Sequence, residues 1–455
     1  MPLYRHPAGI QGQLHTSRFP ASSSALLPAS FFTSHHVSYL PLLHQVLFEE
    51  ISRMEPRDAS HAGSWYSDSQ RTLSRQLDQW LAQVPDQIEG LGSMPIPGAR
   101  IIIAPYGYDM SSSGYSADFL AMPATHTQVP AQLMPTKRWI CRKRKNPKPS
   151  SFTTTTYGIL PICSKRIFIL GPSHHHYLST LALPELTSYS TPLSDDPLPL
   201  DTELINKLLA TKATRPNGSS VGFTTMSRSI DEDEHSIELH LPYIHRRLQL
   251  QYPDKPTSEY PPLVPIMVGS TSASTENAFG ALLAPYLEDP SNAFVISSDF
   301  CHWGSRFRYT YYVPQAPKPG PRLPLSAEDL PQPGDEAKEV EEKVEMVSAG
   351  QSLQRGDRIS SREPAIHESI SAFDIATMAA ITTGTTSKFL DILQKTGNTV
   401  CGRHPIGVIM AAIESVTSQE ESKKGRFHFI RYERSSDAVD VTDSSVSYVS
   451  AVAVL

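Results

Sequence analysis

Short apolar runs rich in β-branched residues recur along the chain, and each ends in small or polar residues. Such runs predict buried strands, because polar alternation disappears when both faces of a sheet are covered. The runs are residues 99–105 (ARIIIAP), 165–172 (KRIFILGP), 263–269 (LVPIMVG) and 293–299 (AFVISSD). Residues 427–432 and 444–454 predict two further strands that close the chain inside the sheet.

The segments between these runs have the spacing of helices. The predicted helices are residues 70–83, 202–210, 236–251, 276–287, 371–382 and 406–416. Strands that alternate with helices favour an α/β fold, here a single large domain with a mixed or parallel central sheet flanked by helices. Sites in such folds gather where the carboxyl ends of the strands run into loops.

Three segments depart from this pattern. Residues 1–53, of which the first 48 lack Asp and Glu, predict a disordered or artefactual extension before a domain that spans 54–455. Residues 122–164 are basic without any acid, which favours a solvated loop or a translated intron over a nuclear import signal or a nucleic-acid contact. Residues 313–364 are proline-rich and then acidic, which predicts a surface insertion.

Composition excludes several classes of function. A net charge of -6 gives no electrostatic reason to bind nucleic acid or an anionic membrane. The four cysteines lie far apart without a CxxC pair, which favours a reducing, cytoplasmic location, with nuclear entry as an alternative. The chain has no apolar run long enough for a membrane span, and it lacks the nucleophile-elbow, Walker A and dinucleotide-binding motifs.

Histidines follow the strand at 165–172. His174 and His175 stand in the loop at its carboxyl end, where one imidazole can face inward while its neighbour faces water. Imidazole is a common ligand of iron, copper and zinc, so His174 is a candidate metal ligand. A cluster of surface histidines is the alternative interpretation.

A second strand ends in Asp299, Cys301 and His302, within residues 293–302. A carboxylate, a thiol and an imidazole this close together predict a pocket. Strict alternation would place Asp299 and Cys301 on one face and His302 on the other, unless a turn redirects them. The alternative is a buried Asp299 that caps the next turn.

Residues 231–243 hold His235, Glu238 and His240 in the order HxxExH. On a helix this spacing turns the second histidine about 140° away from the first, so the segment does not fit a zinc-protease helix. His235 and Glu238 share a face, which favours an acid/base pair. A structural role for the acidic residues at a helix start is the alternative.

Cys401 comes directly before Gly402, Arg403, His404 and a predicted apolar helix. A cysteine at this position is a soft metal ligand, a thiol that faces a pocket, or a buried inert side chain. The residues alone leave these alternatives open.

Seven ordered motifs together resemble the Memo family, the mediators of ErbB-receptor-driven cell motility. They are SHAGSWY (60–66), RIFILGPSHH (166–175), DEDEHSIELHLPY (231–243), SSDFCHWGSRFRYTYY (297–312), HESI (367–370), CGRHPIG (401–407) and DSSVSYVS (443–450). The resemblance implies the fold of class III extradiol dioxygenases, in which two histidines and a carboxylate hold iron(II). It also implies that a cysteine replaces the carboxylate.

The resemblance assigns His174 and Cys401 as ligands of iron or copper. It leaves His235, Asp299 and His302 as catalytic groups beside the metal. The predicted binding pocket comprises His61, Trp65, Tyr66, His175, Glu238, Cys301, Arg403 and His404.

One expected ligand is missing. Where the family has IIAPHAGYxYxG, residues 101–119 are IIIAPYGYDMSSSGYSADF, with Tyr106 after the proline and no histidine. Real loss of the ligand and an error in the gene model both stay open. His302, His235 and His175 are the candidate substitutes.

Two functions follow as hypotheses. The first is a metal site for redox chemistry or iron handling, in which the cysteine and the missing histidine argue against ring cleavage. The second is an interaction module that binds phosphotyrosine peptides, signalling or cytoskeletal proteins, or a small molecule through the same pocket, where Arg403, His174 and His302 would contact an anion. A degenerate relative with a purely structural role is the third alternative.

Overall fold

A mixed ten-stranded sheet organises the part of the chain that the computed structural model describes, residues 55–82, 87–88, 90–93, 96–106, 164–417 and 424–455. Its strands are β1 (Ala99–Ala104), β2 (Arg166–Pro172), β3 (Leu181–Pro184), β4 (Thr224–Met226), β5 (Leu263–Val268), β6 (Asn292–Ser297), β7 (His302–Gly304), β8 (Leu325–Ser326), β9 (Phe427–Arg434) and β10 (Ser444–Val454).

The strand order is β4-β3-β5-β2-β6-β1-β10-β9-β8, and β7 pairs with β10. Strands β5, β2, β6 and β1 run parallel to one another, whereas β10, β9 and β8 add to the sheet antiparallel. The side chains of β1, β5 and β6 are buried throughout, because helices cover both faces of this central part. The predicted α/β fold is confirmed.

The helices that flank the sheet are α1 (Gln70–Leu81), α2 (Thr202–Ala210), α3 (Arg228–Asp233), α4 (His235–Glu238), α5 (Leu241–Gln251), α6 (Ala273–Glu288), α7 (Ala337–Ser348), α8 (Ile366–Thr382), α9 (Thr386–Thr396) and α10 (Arg403–Val416). Helices α6 and α10 pack closely: a Cβ on Gly280 would lie 2.6 Å from the Cβ of Ala411. Only glycine permits this approach of the two helices.

Small hairpins and 3₁₀ turns complete the described part of the chain. The paired short strands are Gln87–Ile88 with Gly92–Ser93, Ser188–Thr191 with Ser194–Pro199, Lys212–Thr214 with Ser220–Gly222, and Tyr311–Tyr312 with Gln351–Ser352. The 3₁₀ turns are Thr257–Glu259, Ser305–Phe307 and Ala327–Asp329.

The predicted elements match closely, with one informative exception. The helix predicted over 236–251 is interrupted, because α4 ends at Glu238 and α5 begins at Leu241. Pro242 stands in the first turn of α5, where it lacks an N–H to donate backwards and therefore favours a new start. The last strand, β10, lies between β1 and β9, as predicted for a chain that closes inside its sheet.

The three unusual segments differ in what can be said of them. The predicted extension 1–53 and, except for Ser164, the basic segment 122–164 lie outside the described residues. Residues 313–364 lie within them and contribute to the core as well as to the surface. The acidic side chains of α7 are exposed, whereas Val340 and Val347 are buried, and Leu325–Ser326 pairs with β9.

No helix among the described residues is both long enough and apolar enough to cross a bilayer.

Candidate functional site

Polar side chains collect at one edge of the sheet, where three adjacent parallel strands end. Tyr106 follows β1, His174 follows β2 and Asp299 follows β6. These strands are neighbours in the order β2-β6-β1, so their carboxyl ends bring the three residues together. They line a cleft of about 700 Å³ with Trp65, His175, His235 and His302.

His174 is held from behind by a buried carboxylate. Its Nδ1 lies 2.9 Å from Oε1 of Glu234, and its backbone N–H donates to Oε2 at 2.6 Å. The other ring nitrogen, Nε2, therefore points into the cleft, and the His174 side chain is 28% exposed. Burial opposes a charge on this ring, but hydrogen bonds with Cys401 and Glu234 outweigh burial and raise the pKa of His174 to about 10.

Cys401 reaches the same point from the loop before α10. The Asp299 N–H donates to its Sγ at 3.0 Å, and the Gly402 N–H donates to Ser298 Oγ at 3.1 Å. A Cβ on Gly402 would lie 2.4 Å from the Ser297 carbonyl oxygen. Glycine is therefore required where this loop presses against the end of β6.

Tyr106 occupies the position where the resemblance predicts a histidine ligand. Its backbone N–H donates to Asp299 Oδ1 at 3.1 Å, and its hydroxyl oxygen lies 2.9 Å from His174 Nε2. The hydroxyl also lies near enough to Cys401 to interact with it electrostatically. Burial, followed by the charge of Cys401, raises the pKa of Tyr106 well above its usual value. An oxygen, a nitrogen and a sulfur therefore converge on the floor of the cleft.

His235 is stacked between two aromatic rings. Its ring centroid lies 4.8 Å from that of Trp65 and 4.8 Å from that of His174, with interplanar angles of 18° and 17°. Burial lowers the pKa of His235 to about 3, although Glu234 opposes the shift. The ring is therefore neutral at physiological pH and can accept or donate a hydrogen bond in the cleft.

A second group of possible metal ligands shares His174 with the first. Donor atoms of His174, Glu234 and His235 lie within 4.8 Å of one another, which is compatible with a metal ion. Glu234 is already engaged there, since it accepts the backbone N–H groups of His174 and Ser236. A metal at this point would have to displace the contacts that orient His174.

Asp299 and His302 both face the cleft, because the chain turns after β6. The Nδ1 of His302 lies 3.0 Å from the Phe300 carbonyl oxygen, and its ring packs edge-on against Phe307 at 5.2 Å. Burial lowers the pKa of His302. The turn that strict strand alternation could not predict is what brings Asp299 and His302 to one side.

Glu238 anchors the cleft wall from behind. This buried carboxylate accepts hydrogen bonds from Arg57 at 2.6 Å and from the Tyr66 hydroxyl at 2.8 Å, and it lies 2.8 Å from Nδ1 of His61. Burial opposes its charge, but the hydrogen bond with His61 and the charge of Arg57 outweigh burial and lower the pKa of Glu238 to about 2. These contacts hold the segment that carries Trp65 into the cleft.

Of the predicted pocket residues, Trp65 and His175 line the cleft, His61, Tyr66 and Glu238 lie behind its wall, and the other three lie elsewhere. Cys301 is fully buried and packs in a separate apolar cluster with Trp303, because the turn after β6 directs its side chain away from the cleft. Arg403 is exposed at the start of α10, and Nδ1 of His404 pairs with Oε1 of Glu276 at 2.7 Å, so that His404 faces α6. None of the three is among the residues that line the cleft.

Two residues at the site were not predicted. Arg306 is exposed and also lines the cleft, because the chain turns back at Gly304 and Ser305–Phe307. Glu234 stands in an acidic run that predicts only a helix start, yet it holds His174. Nothing in the sequence around Glu234 indicates that role.

Comparisons with known proteins agree with one another. A family model described as "Memo-like protein" matches residues 151–452. The protein MEMO1 of Homo sapiens is 35% identical over 397 residues, which covers 87% of this chain and 97% of the human protein. A MEMO1 family protein of Schizosaccharomyces pombe is 32% identical over 398 residues, which covers 87% of this chain and 98% of the yeast protein.

Proposed function

The chain belongs to the Memo family, and from this premise we propose that its cleft binds one redox-active metal ion, iron or copper, through His174 and Cys401. The role that follows is redox chemistry or iron handling linked to cell signalling and motility. Extradiol ring cleavage is not part of the proposal, because a cysteine stands in place of the carboxylate.

The observation that supports the proposal is the convergence of His174 and Cys401, with Glu234 behind the imidazole. A carboxylate that fixes one ring nitrogen of a histidine and leaves the other free is a recurrent arrangement behind metal ligands. The Asp299 N–H that donates to Sγ fixes the position of the Cys401 sulfur. Imidazole and thiolate together suit iron and copper.

The remaining residues would position the ligands and adjust the cleft. When bound, iron or copper supplies one-electron chemistry that no side chain here provides. The Asp299 carboxylate accepts from the Tyr106 N–H, so it holds the end of β1 against the end of β6. The Asp299 N–H donates to the sulfur of Cys401. His235 stays neutral and offers a hydrogen bond, and the apolar face of Trp65 covers it.

The test is metal content and affinity of the full chain purified without oxygen, measured by mass spectrometry and by titration with iron or copper. We expect one ion per chain, and loss of that ion in His174→Ala and Cys401→Ala. His176→Ala is the matched control, because His176 lies in the same loop but pairs with Asp233 outside the cleft lining. Stoichiometric metal in both cleft variants would refute the proposal.

A second function, binding of an anionic peptide such as one bearing phosphotyrosine, is supported by Arg306. Its guanidinium is exposed, lies 4.3 Å from the Phe307 ring centroid and borders the same cleft. Arginine and an aromatic ring together suit an aryl phosphate.

Arg308 supplies a matched control for this second function, since it is exposed two residues away and does not line the cleft. Fluorescence anisotropy with a labelled phosphotyrosine peptide should show weaker binding in Arg306→Ala and unchanged binding in Arg308→Ala. Peptide binding that survives metal removal would favour an interaction module, whereas the absence of binding by the unmodified chain would exclude this second function.

A further inference from the structure

His174 and Cys401 alone leave a metal ion with few protein ligands. Catalytic metal sites usually have three protein donors, with further positions open to water or substrate. The described residues offer a third donor at the same point, the hydroxyl oxygen of Tyr106, which lies 2.9 Å from His174 Nε2 and interacts electrostatically with Cys401.

Tyr106 is fixed in this position from two sides. Its backbone N–H is bound by Asp299, so the end of β1 cannot swing away from the end of β6 without breaking that contact. Its ring packs against His235 with the centroids 5.1 Å apart. The residue is only 9% exposed, and its hydroxyl lies against His174.

We propose that the phenol oxygen of Tyr106 is the third protein donor to the metal and takes the place of the histidine that the family has there. The inference rests on the proposed function, since it concerns the same ion. It makes the site of this chain a phenolate, imidazole and thiolate site, distinct in chemistry from one with two imidazoles.

Binding of the metal ion would displace protons from these side chains and needs no further reactant. The O–H bond of Tyr106 and the S–H bond of Cys401 break, bonds from the metal to oxygen and sulfur form, and the protons leave to water. His174 also gives up any proton on Nε2 and binds through that nitrogen's lone pair. The oxidation state of the metal does not change in this step.

Two anionic donors have a direct electrostatic consequence. They place two negative charges beside the ion, whereas an imidazole in place of the phenolate would leave one. At short range the more highly charged state of a metal gains more from an added negative charge. The site should therefore favour iron(III) over iron(II) more strongly than the same cleft with a histidine at position 106.

The experiment is resonance Raman and visible absorption spectroscopy on the full chain loaded with ferric citrate, with iron quantified in the same samples. Phenolate bound to iron(III) gives a visible charge-transfer band, and excitation in that band enhances vibrations of the tyrosinate ring. We expect both signals in the unmodified chain. We expect Tyr106→Phe to lose both and to bind iron at least tenfold more weakly.

Two further variants make the result specific. Tyr448→Phe removes a different phenol from the cleft lining and should keep both signals. Tyr106→His should keep stoichiometric iron and lose the tyrosinate vibrations. Thermal melting of each variant separates loss of a donor from loss of the fold, and Tyr106→Phe keeps the buried ring, so its melting temperature should change little.

The outcomes separate this inference from the proposed function. Iron that depends on His174 and Cys401, without tyrosinate vibrations and with equal affinity in Tyr106→Phe, would overturn the role of Tyr106 alone. No iron bound to the unmodified chain would overturn both. Iron that persists in Cys401→Ala and disappears in Glu234→Gln would also overturn both, because the ion would then sit between His174, Glu234 and His235.

Discussion

The hydroxyl oxygen of Tyr106 lies 2.9 Å from Nε2 of His174, on the side of the imidazole opposite Glu234. Both nitrogens of His174 are therefore engaged, one by the buried carboxylate and one by the phenol. A metal ion at Nε2 must replace the hydrogen bond with a bond to the metal, while the contact with Glu234 can stay. Substitutions at Glu234 and at Tyr106 therefore test the two sides of the His174 ring separately.

The first prediction concerns Glu234 as a positioning residue for His174. We expect Glu234→Gln to weaken metal binding by roughly 10- to 100-fold without abolishing it, because the amide still orients the ring but no longer increases its basicity. Titration of the anaerobic protein with the metal measures this. Asp233→Asn is the control, since Asp233 pairs with His176 outside the cleft lining and should leave the affinity unchanged. Complete loss of metal in Glu234→Gln with retention in Cys401→Ala would contradict the assignment.

The second prediction concerns Gly402, whose missing side chain lets the loop of Cys401 approach β6. In Gly402→Ala the new Cβ would meet the Ser297 carbonyl oxygen, so the loop must shift. We expect a loss of about 1–3 kcal/mol in the free energy of unfolding and a clear fall in metal affinity.

Gly280→Ala is the matched control for this second prediction. A Cβ on Gly280 would clash with Ala411 between α6 and α10, away from the residues that line the cleft. It should destabilise the fold by a similar amount and leave metal affinity unchanged. Urea unfolding and metal titration of both variants measure the two effects, and equal losses of affinity would show that Gly402 acts only through stability.

Much of the fold follows from the sequence, because its signals are local. The run at 263–269 is apolar throughout, and the structure has the buried strand Leu263–Val268 there. The helix Thr202–Ala210 has the predicted bounds, with Asp201 as a capping residue that accepts from the Leu204 N–H at 3.0 Å. Burial on both faces and a capping side chain are properties that neighbouring residues encode.

The site was harder to predict, because it depends on contacts between distant segments. His174 follows β2 and Cys401 precedes α10, so the two residues are far apart in the chain. Only the resemblance to the Memo family predicts that they bind the same metal ion. The side chains of Asp299 and Cys301 point in different directions, because the chain turns after β6. Strict strand alternation does not predict this turn. The contact of Tyr106 with His174 could not be inferred at all, since nothing in IIIAPYG specifies where the phenol points.

The third prediction concerns Asp374, a fully buried carboxyl group under β9 and β10. Burial raises its pKa to about 6, although hydrogen bonds from Ser447, Asn398 and Tyr432 oppose the shift. A folded-state pKa above the unfolded value of 3.8 means that the protonated form is favoured by folding. Its contribution to stability is therefore complete below pH 3.8 and is lost as the pH rises through about 6.

The measurement for Asp374 is the melting temperature at pH 5.5 and pH 7.5 in buffers of equal ionic strength. The unmodified chain should melt about 1 °C higher at the lower pH from this group, and Asp374→Asn should reduce the difference, because an amide does not titrate. Asp391→Asn is the control, since Asp391 is half exposed in an ion pair with Lys395. An unchanged pH difference in Asp374→Asn would show that another group causes it.

The last prediction concerns Glu238, the carboxylate that holds Arg57, His61 and Tyr66 behind the cleft. Its folded-state pKa of about 2 lies below the unfolded value of 4.5, so its contribution to stability is present above pH 4.5 and is lost as the pH falls towards 2. Glu238→Gln removes one charge of a buried pair and leaves the Arg57 guanidinium with Asp231 as its remaining carboxylate partner. Loss of one partner from a buried pair costs about 3 kcal/mol or more.

Urea unfolding at pH 7 and at pH 3 tests this expectation. At pH 7 Glu238→Gln should be less stable than the unmodified chain, and at pH 3 the gap should narrow, because the unmodified carboxylate then begins to lose its advantage. Glu339→Gln supplies the control, since Glu339 forms an exposed pair with Lys343 and should change stability little at either pH. A gap that is as large at pH 3 as at pH 7 would mean that Glu238 stabilises the wall by its shape and hydrogen bonds, independently of its charge.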